Sequence, residues 1–134
     1  MNQSSLISRA RLGVILSFLS HGFISSSFFA RIPDYKARLE LSNSVLGLCL
    51  LASSAGVLAA LGPVGRLAAQ RGSSAVLTKS SYLLVFIAPF VGISFNAISF
   101  AAILFLFGVA IAAQDVAMNT HGVTLEQKSG ARYC

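Results

Sequence analysis

The chain has 134 residues, 55% of them hydrophobic and 10% charged, with a mean hydropathy of +0.77. Typical soluble domains carry about 25% charged residues, so this composition excludes that class and points to an all-α integral membrane protein. The net charge of +6 comes from basic residues scattered between apolar runs. They form no basic face or stripe, and no nucleic-acid partner is expected.

Residues 1–11 are short and polar, with Arg9 and Arg11 just ahead of the first apolar run. That run, Leu12 to Phe29, is 18 residues long. It suffices to cross a hydrocarbon core of about 30 Å. Its basic start and apolar centre also fit a cleaved leader ending near Ser25 and Ser27. The further spans favour a retained helix. His21 sits in its middle, where it reads either as a member of a proton path or as a hydrogen-bonded packing residue.

Arg31 to Asn43 reads as a polar outer loop, with Ile32-Pro33 ending the first helix and Ser42 or Asn43 placed to cap the next. The second span is expected over 45–61. Ala52, Gly56 and Ala60 recur on it every four residues, a small-residue stripe that lets another helix come close. Gly62 to Lys79 reads as the second polar connection, with its glycines, Pro63, Arg66 and Arg71 marking a turn. The third span is expected over 77–95, with Pro89 inside it and Lys79 snorkelling from its near end. Asn96 and Ser99 form a short turn before a fourth span over 98–118. Thr124 to Cys134 reads as a polar tail. Tyr35, Tyr82 and Tyr133 stand as interface anchors near span ends.

With the N-terminus in the cytoplasm, the inside segments hold Arg9, Arg11, Arg66, Arg71, Lys79, Lys128 and Arg132. The outside ones hold Arg31, Lys36 and Arg38, so seven basic residues face three. The positive-inside rule then places both termini in the cytoplasm.

The fourth span carries one acid, Asp115, flanked by Gln114 and followed by Asn119. An ionisable group in a membrane span costs about 2.5–3.5 kcal/mol on insertion scales, which makes it a functional-site candidate. On a helical repeat Gly108, Ala112, Asp115, Asn119 and Gly122 share a face, while Ile103, Leu104, Leu106 and Phe107 mostly point elsewhere, toward lipid. Two readings of Asp115 stand. In one it is a buried carboxylate lining a pathway, with Asn119 and Gln114 able to hydrogen-bond a ligand. In the other the span ends near Ala113, and Asp115 caps a helix or pairs with Arg66 or Arg71 at the cytoplasmic interface. No catalytic constellation, phosphate-binding loop, metal cluster or cofactor motif is visible, so neither an enzyme nor a cofactor is expected. Cys49 and Cys134 have no partner at metal-ligand spacing. His21 and His121 lie at different depths with no haem attachment motif.

The segment Gly65-Arg66-Leu67-Ala68-Ala69-Gln70-Arg71-Gly72 resembles the loop signature between the second and third helices of the major facilitator superfamily (MFS). Gly65, Leu67 and Gly72 match it in spacing. Ala69 stands where the acid usually is and Gln70 where the base usually is, leaving any charge relay to Arg66 or Arg71. Arg31 to Gly47 and Gly108 to Glu126 are similar to the bacterial inner-membrane branch near the fucose-permease-like transporters. There the fourth helix carries an acid four residues before an asparagine, as Asp115 and Asn119 do here. The resemblance implies the N-terminal part of a six-helix bundle, about four helices of a twelve-helix carrier, with the remaining helices outside this chain. It implies a multi-pass protein of the bacterial inner membrane whose partners are the lipid bilayer, a small solute such as a sugar, and protons. An alternative is a stand-alone four-helix protein working as an oligomer, as small multidrug exporters do. Those carry their key acid in the first helix, and Leu12 to Phe29 has none. A non-transporting remnant is the third class.

Overall fold

The computed structural model describes residues 3–130, with side-chain surroundings for residues 4–127. Every regular element among them is a helix: α1 (Gln3–Ala30), α2 (Ile32–Arg38), α3 (Asn43–Arg71), α4 (Ser73–Gly92) and α5 (Ala97–Gly130). Four are long and apolar enough to cross a membrane, over Ser4–Ala30, Asn43–Arg71, Ser73–Gly92 and Ala97–Gln127. The protein is an all-α membrane protein of about four spans. Its outer surface shows why: Leu58 is 71% exposed, Phe23 75% and Phe86 67%, side chains that need lipid around them.

The helices outrun the expected spans. α3 keeps helical geometry through Pro63, Gly65 and Arg66 to Arg71, so the expected connection over residues 62–79 shrinks to Gly72 alone. At 29 residues α3 is about 43 Å long, well beyond the hydrocarbon thickness. Its polar end marks where the lipid stops and not where the helix stops. Ala68, with Val64 and Leu67, packs on Val76, Leu77, Ala117 and Met118, which holds that end in place. Gly72 turns the chain with a φ of 85°, a backbone conformation that favours glycine. The same reasoning corrects the expected polar tail, because α5 runs on to Gly130. Arg132, Tyr133 and Cys134 lie outside the described residues, as does the Lys128 side chain.

The expected span over 77–95 overruns its helix. α4 stops at Gly92, where the Ser94 hydroxyl donates to Val91 O at 2.9 Å and Arg38 claims the free carbonyls. The guanidinium donates to Gly92 O and, at 3.1 Å, to Ser94 O. A cation there complements the C-terminal end of the helix dipole. The expected outer loop is therefore partly a helix, and Arg38 is a structural tie in it. Pro33 sits in the first turn of α2, where its missing N–H costs nothing. α2 closes on Glu40 (φ 51°), with Leu41 N–H donating to Lys36 O at 3.0 Å and Glu40 N–H to Ala37 O at 3.3 Å. That is a Schellman close, and Leu41 is buried beneath it. Ser42 caps α3 as expected, accepting from Val45 N–H at 3.2 Å. Asn96 caps α5 by accepting from Ser99 N–H at 2.7 Å, while Ser99 Oγ accepts from Asn96 N–H at 3.2 Å. Ser99 thus belongs to the helix and not to a turn.

α5 is the central helix, packed on α3, α4 and α1. The small stripe of α3 meets it as expected. A Cβ built on Gly56 would overlap Phe105 O, and one on Gly108 would overlap Ser53 O, so each glycine admits the other helix's backbone. The expectation that α5 greases lipid on its large-residue side needs correction. Leu104 is 0% exposed and Phe107 2%, both in the core, while Leu106 is the lipid-facing residue at 51%. Tyr35 is buried too. It packs between Phe28 and Phe100 with ring centroids at 6.1 and 5.6 Å, and is no interface anchor. Tyr82 is exposed but lies at the middle of α4 and not at its end.

Candidate functional site: a polar chain across three helices

Two contacts of α1 with α5 bear on the site. Near its C-terminus Phe28 packs on Phe107 with centroids 5.0 Å apart. Two turns earlier His21 reaches α5. Its Nδ1 lies 3.3 Å from Gln114 Oε1, and its Nε2 lies 3.4 Å from Asp115 Oδ1. Gln114 in turn donates from Nε2 to Ser81 Oγ on α4 at 3.2 Å. Ser81, Gln114, His21 and Asp115 thus form one chain of polar groups across α4, α5 and α1.

Consecutive positions on a helix point about 100° apart, and here that geometry decides two roles. Gln114 faces inward and is 1% exposed, its amide used at both ends. Asp115 faces the open side, with its side chain 49% exposed against 17% for His21. The carboxylate therefore has one oxygen on the imidazole and a flank left free. Asn119, one turn along α5, is exposed on the same side.

The site lies deep along the helices. Ser81 is the ninth of the 20 residues of α4, about 12 Å from Ser73 at 1.5 Å per residue. Asp115 is level with it through Gln114. The described ion-pair partner of Asp115 is His21 on α1, and the expected alternative pairing with Arg66 or Arg71 does not form. Gly65, Arg66, Arg71 and Gly72 sit at the α3–α4 junction, away from the chain, with both arginines exposed. Between α1 and α4 a cleft of about 450 Å³ opens, lined by Ser17, Ser74, Thr78, Ser81 and His121 among others. His121 stands apart from His21, its Nδ1 3.1 Å from Ser73 Oγ. Ser81 and Arg38 are the residues the sequence did not single out. Ser81 is one hydroxyl among several on α4, and only the fold brings it to Gln114.

The comparisons with known proteins fit a chain of this kind. It is 32% identical to an uncharacterized MFS-type transporter of Yersinia pestis over 115 residues, 86% of this chain and 30% of that protein. It is similar to part of an MFS-type transporter. It is also 30% identical to the membrane protein MosC of Rhizobium meliloti over 125 residues, 89% of this chain and 29% of that protein. An uncharacterized transporter of Sinorhizobium fredii is 25% identical over 118 residues, 88% of this chain and 31% of the relative. The chain thus spans about 30% of the length of these relatives. No protein-family model and no solved structure matches it.

Proposed function

We propose that these helices are the N-terminal part of a secondary active MFS transporter, and that the His21–Asp115 pair carries the proton coupled to movement of a small polar solute such as a sugar. The observation that carries the reading is the contact of Nε2 with Oδ1 at 3.4 Å, deep in a set of apolar helices. An ionisable pair at that depth is expensive unless it does something. A proton shared between an imidazole and a carboxylate can be held there without leaving a lone charge. The open flank of Asp115 and the exposed amide of Asn119 offer donors and acceptors to solute hydroxyls. Gln114 has no such freedom, since both ends of its amide are engaged within the protein. Similarity to two proteins named as transporters supports the same class. The excess of basic residues beside the N-terminus and the α3–α4 junction supports a cytoplasmic placement of both termini in the bacterial inner membrane.

The test is solute-driven proton movement, across a panel of sugars, in proteoliposomes that hold these helices joined to the remainder of the proposed carrier and carry a trapped pH-sensitive dye. Asp115→Asn is expected to abolish proton movement while leaving membrane insertion intact. Undiminished proton flux in that variant would remove the proposed role of the pair.

A further inference from the structure

We propose that the outer face of α4 holds an anionic phospholipid, with its phosphate on Lys79 and an acyl chain lying along Leu83, Phe86 and Phe90. Lys79 and Leu83 each stand two places from Ser81, which puts them nearly opposite it on the helix. The site is therefore separate from the polar chain, and it does not depend on which groups carry a proton.

A groove of about 750 Å³ runs along this face from Lys79 to Phe90. Lys79, Leu83, Phe86 and Phe90 recur at spacings of four, three and four residues, which places them on one stripe. At 1.5 Å per residue the stripe is about 16 Å long, close to half of a hydrocarbon core of about 30 Å. An acyl chain of one leaflet has that reach.

Two observations name the occupant. The first is the shape of the wall. Where α3 and α5 meet, a glycine admits the neighbouring backbone, as Gly56 does to Phe105 and Gly108 to Ser53. Membrane helices associate through such small residues. The groove on α4 has no glycine, alanine or serine in its lining. Its walls are the exposed side chains of Tyr82, Leu83, Phe86 and Phe90, with the ring centroids of Phe86 and Phe90 5.2 Å apart. A bulky, uneven surface of that kind suits flexible acyl chains better than a second rigid helix.

The second is charge. Lys79 is the charged residue of the groove. It is the seventh of the 20 residues of α4, about 9 Å in from Ser73. Among the described residues its ammonium has no carboxylate partner. A bare charge at that depth is costly, and a long side chain relieves the cost by reaching back toward the headgroups. On a helix the Cα–Cβ bond leans toward the N-terminus, so Lys79 sets out toward the Ser73 end. A phosphate there supplies the missing counter-charge, while the groove takes the chain attached to it. A zwitterionic lipid carries its own cation beside the phosphate and gains less.

The experiment uses the absence of tryptophan from these 134 residues. Leu83→Trp places a reporter in the groove, and brominated lipid lying against it quenches its fluorescence. The protein, joined to the remainder of the proposed carrier with the tryptophans of that part replaced, is reconstituted in equal mixtures of phosphatidylglycerol and phosphatidylcholine, with one or the other lipid brominated. Brominated phosphatidylglycerol is expected to quench more, with an apparent preference of about fivefold, the equivalent of roughly 1 kcal/mol for one lysine at an anionic surface. Adding Lys79→Gln is expected to abolish the preference while quenching persists. Leu58→Trp, exposed on α3, is expected to show none. Equal quenching by the two lipids in the parent protein overturns the proposal, as does a preference that survives Lys79→Gln or recurs undiminished at Leu58→Trp. Quenching by neither lipid also overturns it, because another helix then covers the groove.

Discussion

Arg38 shows what a single side chain can do at the end of a helix. It reaches from the short helix α2 to the last carbonyls of α4, and its guanidinium lies 5.6 Å from the Tyr35 ring centroid. These are charge-assisted bonds to groups that the end of α4 leaves without intrahelical partners. Arg38→Ala is expected to lower the unfolding free energy by about 1–3 kcal/mol, the cost of stranding those acceptors. Arg38→Lys should restore only part of the loss, because an ammonium lacks the fork that serves two carbonyls at once. Thermal unfolding in detergent measures both. At this scale the sequence was half legible. An acid in an apolar span marks itself, and so does a mid-span histidine. What neither announces is its partner. Asp115 meets His21 from a helix far away in the chain, whereas the reading that gave it an arginine partner assumed that the span ends near Ala113 and leaves both at the cytoplasmic interface.

At the scale of the element, α3 and α5 make the tightest contact of the molecule. A methyl group on Gly56 meets the backbone of Phe105, which cannot swing aside as a side chain could. Gly56→Ala should force the two helices apart and cost about 1–3 kcal/mol, as overpacking does. Gly108→Ala should behave alike through Ser53. Gly62 is the contrast: it lies on the same helix with nothing within 4 Å of an added Cβ. Gly62→Ala should stabilise the helix by about 0.5–1 kcal/mol, the usual gain of alanine over glycine. Opposite signs from two glycines six residues apart on one helix, read as shifts in unfolding temperature, check the packing directly. The small-residue stripe was readable because close helix approach demands small side chains at a four-residue spacing. The helix ends were not, because polarity reports the edge of the lipid. A helix continues into the headgroups for as long as contacts such as Ala68 on Ala117 support it.

For the whole molecule, the central position of α5 organises everything else. α3 and α4 clasp it, and α1 leans on it through Phe28 and His21. The most apolar stretch of α1 is only 6% buried, against 44% for that of α5. Its exposed leucines and phenylalanines require an apolar surrounding. The chain is therefore expected to stay with membranes through alkaline carbonate washing and to precipitate when detergent is withdrawn. Recovery in the aqueous fraction of the wash would contradict the membrane assignment.

The sequence was enough to determine the class, the number of spans and a helix cap at Ser42 or Asn43, and it marked Asp115 as the acid in the last span. Those are local properties: a hydrocarbon solvent tolerates only backbones that bond to themselves, and a cap needs only its own turn. Which groups pair was decided by the tertiary structure alone. The rotation of α5 turns Gln114 inward and Asp115 outward, and its packing against α1 and α4 brings Ser81 and His21 to them. No pattern within one helix encodes that rotation. It is set by how Gly56 and Gly108 let two backbones meet.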